Sequence, residues 1–524
     1  MIFQKKMYRV VAVFLLMLLA GGLSVLAFAP IGVFPMAFLS LAVLVYWLDD
    51  TALKRTGFAL GFAWGLGAFG AGVSWLYVAL VRYGGMFPPL AVLAIFLFCA
   101  FLSLYPALAG MFYVRWRYGG LLRRSLLFAA LWVFAEWLRG TLFTGFPWLS
   151  IGYSQTPPSP LAGYFPVVGV YGVSGVVALV SGLLALCVAK GVGHIRTAGP
   201  ALARSELMPT FFINSGVRFS AALAGVILLG GACLSFIRWA EPDGSPLSVS
   251  LIQPNIEQSL KWNPAHHAET LQVNAELVRK AQGSIIVLPE AALPTTLDLL
   301  PPEYLKELTD SVAQQGSALV VGVFMSDDGR FYNAAVTLGE GSGQRYAKNH
   351  LVPFGEYSPP LFGWFYRFVD IPMSRQSTGG ANQPPLRLFG RRIAVNICYE
   401  DVFGAELLPS LPQAGLMLNL SNLAWYGDSF AQPQHLQIAR ARAMETGRPM
   451  LRSTNTGMTA LVLPDGSVPS VQPAFTRGVL EVTVSAYRGL TPYAWWGDVA
   501  VMVLAGAVIL AAWVWPLPVP RPLR

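Results

Sequence analysis

What most limits the fold of this chain is a series of long apolar runs. Seven precede residue 241: Val10 to Phe28, Ile31 to Leu48, Gly57 to Leu80, Pro89 to Val114, Ser125 to Leu138, Pro166 to Ala189 and Phe219 to Ile237. An eighth, Val499 to Trp515, comes near the end. Each is close to the roughly 20 residues a helix needs to cross a bilayer, although Ser125 to Leu138 needs flanking residues to do so. Of 524 residues, 55% are hydrophobic and 12% charged, about half the charge expected of a soluble chain. The runs therefore predict an eight-helix transmembrane bundle. The first, behind Lys5, Lys6 and Arg9, has the form of a signal peptide, with Ala27-Phe28-Ala29 as its cleavage site. The second follows at once across Pro30, so both are read as retained helices.

The net charge is +9, and the basic residues fall in clusters between apolar runs. Lys5/Lys6/Arg9, Lys54/Arg55, Arg115/Arg117/Arg123/Arg124, Lys190/Arg196/Arg204/Arg218 and Arg521/Arg524 occupy alternate connections. The opposite connections hold single arginines such as Arg82, Arg139 and Arg238. Positive clusters stay on the cytoplasmic side. Both termini are thus expected in the cytoplasm, with the polar segment between the seventh and eighth spans outside it. The division predicted is a seven-helix membrane domain over 1–240, an extracytoplasmic domain over 241–492, and the last span with a tail over 493–524. No basic tract with interleaved aromatics is present, which argues against nucleic-acid binding. Glu136 and Arg139, one helical turn apart near the outer end of the fifth span, read as a buried ion pair, with a lipid-headgroup contact as the alternative. The aromatic Gly145-Phe146-Pro147-Trp148 that follows reads as an interfacial belt or as the lining of an acyl-chain entrance.

The polar segment alternates strands and helices. Strand-like runs are Ser248–Gln253, Ile285–Pro289, Ala318–Phe324, Ala334–Leu338, Ile393–Ile397, Leu416–Leu420, Met450–Ser453, Leu461–Leu463 and Val479–Val484. Helix-like runs include His266–Ala281, Pro302–Gln315 and Gln434–Glu445. Sheets inside and helices outside form an α/β layered domain. It has no GxGxxG or phosphate-binding loop and no Cys/His cluster with zinc spacing, so neither nucleotide nor metal is expected.

Three stretches place a reactive group just past a strand: Ile285-Ile286-Val287-Leu288-Pro289-Glu290, Tyr346-Ala347-Lys348, and Ile393-Ala394-Val395-Asn396-Ile397-Cys398-Tyr399-Glu400. Cys99, Cys187 and Cys233 sit in apolar runs, which leaves Cys398 as the lone cysteine of the polar half. A thiol is mostly protonated near neutral pH and needs a base, which Glu290 could supply. Acyl transfer also builds an oxyanion, which Lys348 could stabilise. Taken singly, the cysteine reads as a small core residue, the glutamate as a helix-cap neighbour and the lysine as a surface charge.

Together, Pro289-Glu290, Lys348-Asn349-His350-Leu351-Val352-Pro353-Phe354-Gly355-Glu356-Tyr357 and Cys398-Tyr399-Glu400 resemble the Glu-Lys-Cys signature of the carbon-nitrogen hydrolase (nitrilase) superfamily. Their forms, with the eight runs, resemble its apolipoprotein N-acyltransferase family over nearly the whole chain. The resemblance implies a nitrilase-like αββα sandwich inserted in a bacterial inner-membrane bundle. It implies that Cys398 takes an acyl chain from a phospholipid, typically phosphatidylethanolamine, and passes it from a thioester to the α-amine of a diacylglyceryl-cysteine apolipoprotein. It implies Glu290 as general base and Lys348 as oxyanion partner, with Glu356, Tyr399, Glu400, Trp262, Asn333 and Trp148 in supporting or substrate-binding places. Two positions depart from the pattern. Leu423 stands where an aspartate is usual, and Trp425-Tyr426 stands for Trp-Phe. His350 and His435 are read as structural.

A thioester keeps most of an ester's transfer potential, so amide formation needs no ATP, and the chemistry requires no cofactor. Nothing requires more than a monomer. The aromatic stretch Pro359–Val369 reads as a packed loop or as an interfacial lid. Two other functions fit less well. A helix-anchored amidase would need one span rather than eight. A transporter with a sensor domain would need ionisable groups deep in several spans.

Overall fold

Apolar runs broken by glycine, proline and charge fold as helices in the first of two units in the computed structural model. It describes residues 2–198, 215–360, 363–364 and 375–515. The helical unit comprises Met1–Ser74, Ala94–Ile237 and Asp498–Arg524. The other comprises Trp75–Leu93 and Arg238–Gly497.

The long helices are α1 (Ile2–Ser24), α2 (Pro35–Asp50), α3 (Lys54–Gly72), α4 (Pro88–Trp116), α5 (Leu121–Thr141), α6 (Phe165–Ala198) and α7 (Ser215–Leu234). Among the described residues, five helical stretches are long and apolar enough to cross a membrane: Met7–Ala27, Pro88–Trp116, Leu121–Thr144, Pro160–Ala189 and Gly216–Leu234. A shorter apolar helix spans Val499–Val514. The fifth run thus gains the flanking residues it needed. The third run does not fold as one helix. The glycine-rich end of α3 stops at Gly72, and Val78–Tyr83 forms a separate π-helical turn grouped with the second unit. Helices α1 and α3 meet through glycine. A Cβ on Gly21 would stand 1.9 Å from the Trp64 carbonyl oxygen, and one on Gly67 would stand 1.9 Å from that of Leu18. Close backbone approach replaces hydrophobic drive as the glue between helices in lipid.

The expected Glu136–Arg139 ion pair is not made; each side chain holds the loop after α5 instead. Glu136 Oε1 accepts from Trp132 Nε1 (3.0 Å) and from the Ile151 N–H (2.9 Å). Arg139 donates to the carbonyls of Phe146 and Trp148 and to Ser150 Oγ. A non-helical loop buried among helices leaves main-chain groups without water, and these two charges supply the missing partners.

In the second unit, strands β1 (Glu241–Gln253), β2 (Ile285–Val287), β3 (Ala318–Asp327), β4 (Arg330–Gly339), β5 (Arg345–Ala347) and β12 (Gly478–Arg488) form a sheet in the order β12-β1-β2-β3-β4-β5. A second six-stranded sheet runs β11-β10-β9-β8-β7-β6, from β6 (Leu386–Leu388), β7 (Arg391–Ile397), β8 (Leu416–Ser421), β9 (Met450–Thr454), β10 (Ala460–Val462) and β11 (Ser470–Val471). In each sheet the three central strands are parallel. Val249, Leu251, Val287 and Val320 from one sheet share a core with Val395, Ile397, Leu418 and Leu451 from the other. The outer face of the first sheet packs on α8 (His267–Lys280) and α9 (Pro302–Gln314) through Val278, Leu308 and Val312. That of the second packs on α10 (Ala431–Thr446) through Leu436, Ala439 and Ala443. The unit is therefore a four-layer α-β-β-α sandwich.

The sequence reading starts β1 too late. Residues 241–246 are exposed and carry no aliphatic or aromatic side chain, and the segment pairs with β12 across a bulge between Asp243 and Leu247, so no apolar alternation marks it. Residues 361–362 and 365–369 of the aromatic stretch, with Arg204, Arg521 and Arg524, lie outside the described residues.

Candidate active site

The carboxylate comes first in the chain. After β2, the Leu288 N–H still pairs with the Val320 carbonyl (2.9 Å), and the Ala292 N–H bonds the Gly322 carbonyl (2.7 Å). A Cβ at Gly322 would meet the Pro289 oxygen at 2.1 Å, so only glycine lets β3 pass this closely beneath Glu290. Glu290 is 6% exposed. Its Oε1 accepts from Asn333 Nδ2 (2.8 Å) and lies 3.4 Å from Lys348 Nζ, while Oε2 accepts from the Asn422 N–H (2.7 Å).

Lys348 follows β5 directly. Its N–H bonds the Asn333 carbonyl (2.7 Å), and its side chain is fully buried. Its ammonium bridges Glu290 and Glu356 Oε1, the latter at 2.7 Å. Burial pulls its pKa down, but Glu356, Glu290 and Cys398 outweigh that and hold it well above the usual lysine value. Lys348 is a permanent cation. Glu356 is fixed in turn by the Val352 N–H (2.7 Å), and burial raises its carboxyl against the pull of Lys348.

Cys398 ends β7 at φ +54°, a left-handed conformation that is uncommon outside glycine. Two networks hold it there. Glu400 accepts from the N–H groups of Ile397 (2.6 Å), Asn349 (2.7 Å) and His350 (3.0 Å) and from Tyr346 Oη (3.0 Å), which ties the cysteine strand to the lysine segment. Asp401, His435 and Arg452, all fully buried, form the second. His435 Nε2 bonds Asp401 Oδ1 (2.6 Å), and Arg452 donates to Asp401 Oδ2 (2.9 Å) and to His435 Nδ1 (3.1 Å). Because arginine only donates, Nδ1 accepts and the ring is the neutral Nε2–H tautomer. Burial also lowers the His435 pKa. The thiol is half-buried, and burial together with Glu290 lifts its pKa well above the usual cysteine value, against the pull of Lys348 and the Asn422 N–H. It therefore rests protonated, and a nucleophile exists only once a base has taken the proton.

Glu290, Lys348, Cys398, Glu356, Asn333 and Glu400 are thus gathered in one place. Tyr399 packs edge-on to Phe403, with ring centroids 5.1 Å apart. Trp262 packs on Phe324 at 5.7 Å. Trp148 lies in the helical unit, where its carbonyl accepts from Arg139. Leu423 is buried at the start of the Leu423–Tyr426 turn, which Asn422 caps. Sequence reasoning missed Lys261, 1% exposed, whose Nζ lies 3.3 Å from the Glu290 carbonyl oxygen. It also missed Tyr426, whose phenol is kept protonated by burial and by its nearness to Cys398, Glu356 and Glu290. Lysine and tyrosine in polar loops carry no signal of burial. The one clue was that they adjoin the quoted Trp262 and Trp425.

A carboxylate, an ammonium and a thiol at strand ends of a four-layer sandwich place the chain with acyl-transfer enzymes of the carbon-nitrogen hydrolase type. Residues 248–493 match the family model for carbon-nitrogen hydrolases, and residues 20–183 match that for the apolipoprotein N-acyltransferase N-terminal domain. An apolipoprotein N-acyltransferase from Nitrosomonas europaea is 43% identical, with 96% of this chain and 97% of the relative covered. One from Chromobacterium violaceum is 41% identical, covering 96% and 94%. One from Methylococcus capsulatus is 40% identical, covering 94% and 95%. The chain belongs to the apolipoprotein N-acyltransferase family.

Proposed function

We propose that the chain transfers an acyl chain from a phospholipid, phosphatidylethanolamine first among them, through a Cys398 thioester to the α-amine of a diacylglyceryl-cysteine apolipoprotein. Glu290 takes the thiol proton as sulfur attacks the ester carbonyl. The carbonyl electrons move to oxygen, and Lys348 faces the oxyanion. As the oxyanion collapses, the bond between the acyl carbon and the glyceryl oxygen breaks, and Glu290 returns the proton to that oxygen of the leaving lysophospholipid. In the second half the amine attacks the thioester, Glu290 takes its proton, and the thiol is released as the amide forms. Glu356 holds Lys348, Asn333 holds Glu290, Glu400 holds the strand end, and Tyr399 and Trp262 bound the substrate path.

The observation that carries this reading is the Lys348 ammonium, 2.7 Å from Glu356 and 3.4 Å from Glu290, in the field of a protonated thiol. On the same reading the chain crosses the bacterial inner membrane eight times. α2, α3 and Val499–Val514 would be its shorter spans, and residues 241–492 would stand in the periplasm between 1–240 and 493–524. The protein would act as a monomer.

Intact-mass measurement of the purified protein with phosphatidylethanolamine should show one added acyl group on Cys398. A lipopeptide bearing a diacylglyceryl-cysteine should then remove it and become heavier by that group. Release of free fatty acid instead, with the lipopeptide unchanged, would make the chain a hydrolase and end the reading.

A further inference from the structure

Lys261 is a buried charge to which the transfer above gives no task. It ends the short helical turn Gln258–Lys261 and is 1% exposed. Its ammonium lies 3.3 Å from the Glu290 main-chain oxygen and 5.9 Å from the centre of the Trp262 ring. An ammonium desolvated on a neutral carbonyl and an aromatic face is costly unless opposite charge lies near. Two side chains in the site answer: the Glu290 carboxylate, and Cys398 when it ionises. Burial brings the lysine down to about 8, and these two groups keep it from falling further.

The charges around the sulfur explain why a second cation is useful. Two carboxyl groups, Glu290 and Glu356, share the one ammonium of Lys348. With both ionised, these three groups carry one negative charge in excess before the thiol has ionised. That excess opposes both a thiolate and the oxyanion it goes on to make. A second ammonium offsets that excess.

We infer that Lys261 is the second cation of this site and that its charge, held behind Glu290, favours formation of the Cys398 thiolate and of the oxyanion that follows. It acts on the sulfur through space as a positioning residue. It keeps its own proton while the thiol proton passes to Glu290 and the new S–C bond forms. The inference rests on Cys398 being the nucleophile.

The test compares full-length wild type, Lys261→Met and Lys261→Arg in detergent. Methionine keeps the length and removes a desolvated charge, so the fold tolerates it. Alkylation of Cys398 by iodoacetamide is followed by peptide mass spectrometry at pH 7, below the Lys261 value of about 8, with Cys398→Ser as the blank. Acyl-adduct formation from phosphatidylethanolamine is followed in parallel. Lys261→Met should slow both Cys398 alkylation and adduct formation roughly tenfold. Lys261→Arg should keep the wild-type alkylation rate. A methionine variant with wild-type alkylation and adduct rates would overturn the inference. A wild type that never acquires an acyl group on Cys398 would overturn the nucleophile itself, whatever the variants do. If Lys261→Met does not fold, Lys261→Gln is read in the same way.

Discussion

Both units bury a carboxylate and a cation, and use them differently. In the helical unit, Glu136 and Arg139 are 6% and 3% exposed, and their bonds go mainly to a tryptophan N–H and to the main chain of the following loop. In the sandwich, Glu290 and Lys348 are 6% and 0% exposed. They meet each other at a loose 3.4 Å, and a thiol lies in their field. Charges bonded to a loop's main chain fix it and cannot change partners. Charges that share one another can respond when a proton moves between them. Burial alone therefore does not mark a functional charge; the identity of its partner does.

Removing the sulfur should give the largest effect. Cys398→Ala should lose the acyl adduct outright and slow transfer by about a thousandfold or more, read by intact mass and lipopeptide conversion. Lys348→Ala should slow transfer roughly 100- to 1000-fold, as loss of an oxyanion donor does elsewhere. If Lys348→Ala kept wild-type turnover, the sandwich charges would be no more than scaffold, and the contrast with Glu136 and Arg139 would fail. Arg139→Leu should do the opposite. It strands the carbonyls of Phe146 and Trp148 and should lower stability by about 1–3 kcal/mol, seen as a lower Tm, while leaving the rate of Cys398 alkylation unchanged. An altered alkylation rate with an unchanged Tm would put Arg139 in the functional class.

The residues that were legible in the sequence are those whose signal is local. Ile285–Val287, Ala318–Phe324 and Ile393–Ile397 are unbroken apolar runs, and Glu290 and Cys398 are placed by the strands they follow. The Asp401–His435–Arg452 cluster was invisible because its members stand 34 and 51 positions from Asp401 and meet only once β7, β9 and α10 are packed. Lys261 escaped notice for the same reason: the surface that buries it comes from elsewhere in the chain. The Glu136–Arg139 pair was misjudged because helical spacing shows which side chains are neighbours. It does not show that a loop with unmet carbonyls will compete for them.

The smallest effect concerns Glu400, which shares features of both classes. It is 3% exposed and bonds main-chain N–H groups, like Glu136, yet it joins the lysine and cysteine segments. Burial lifts its carboxyl to about 6, against Lys348 and three N–H donors. A carboxyl raised on folding binds its proton more readily folded than unfolded. Its destabilisation is therefore absent below the unfolded value and complete above the folded one. Between pH 4.5 and 6 this single group should cost about 2 kcal/mol of stability as pH rises. Activity should move the other way. Protonation removes acceptor capacity at the strand end, so transfer should fall a fewfold as pH drops through about 6. The stability margin of wild type over Glu400→Gln should widen over the same interval. Parallel loss of transfer and of that margin on acidification would show that Glu400 is a structural anchor like Glu136, with no share in positioning Cys398.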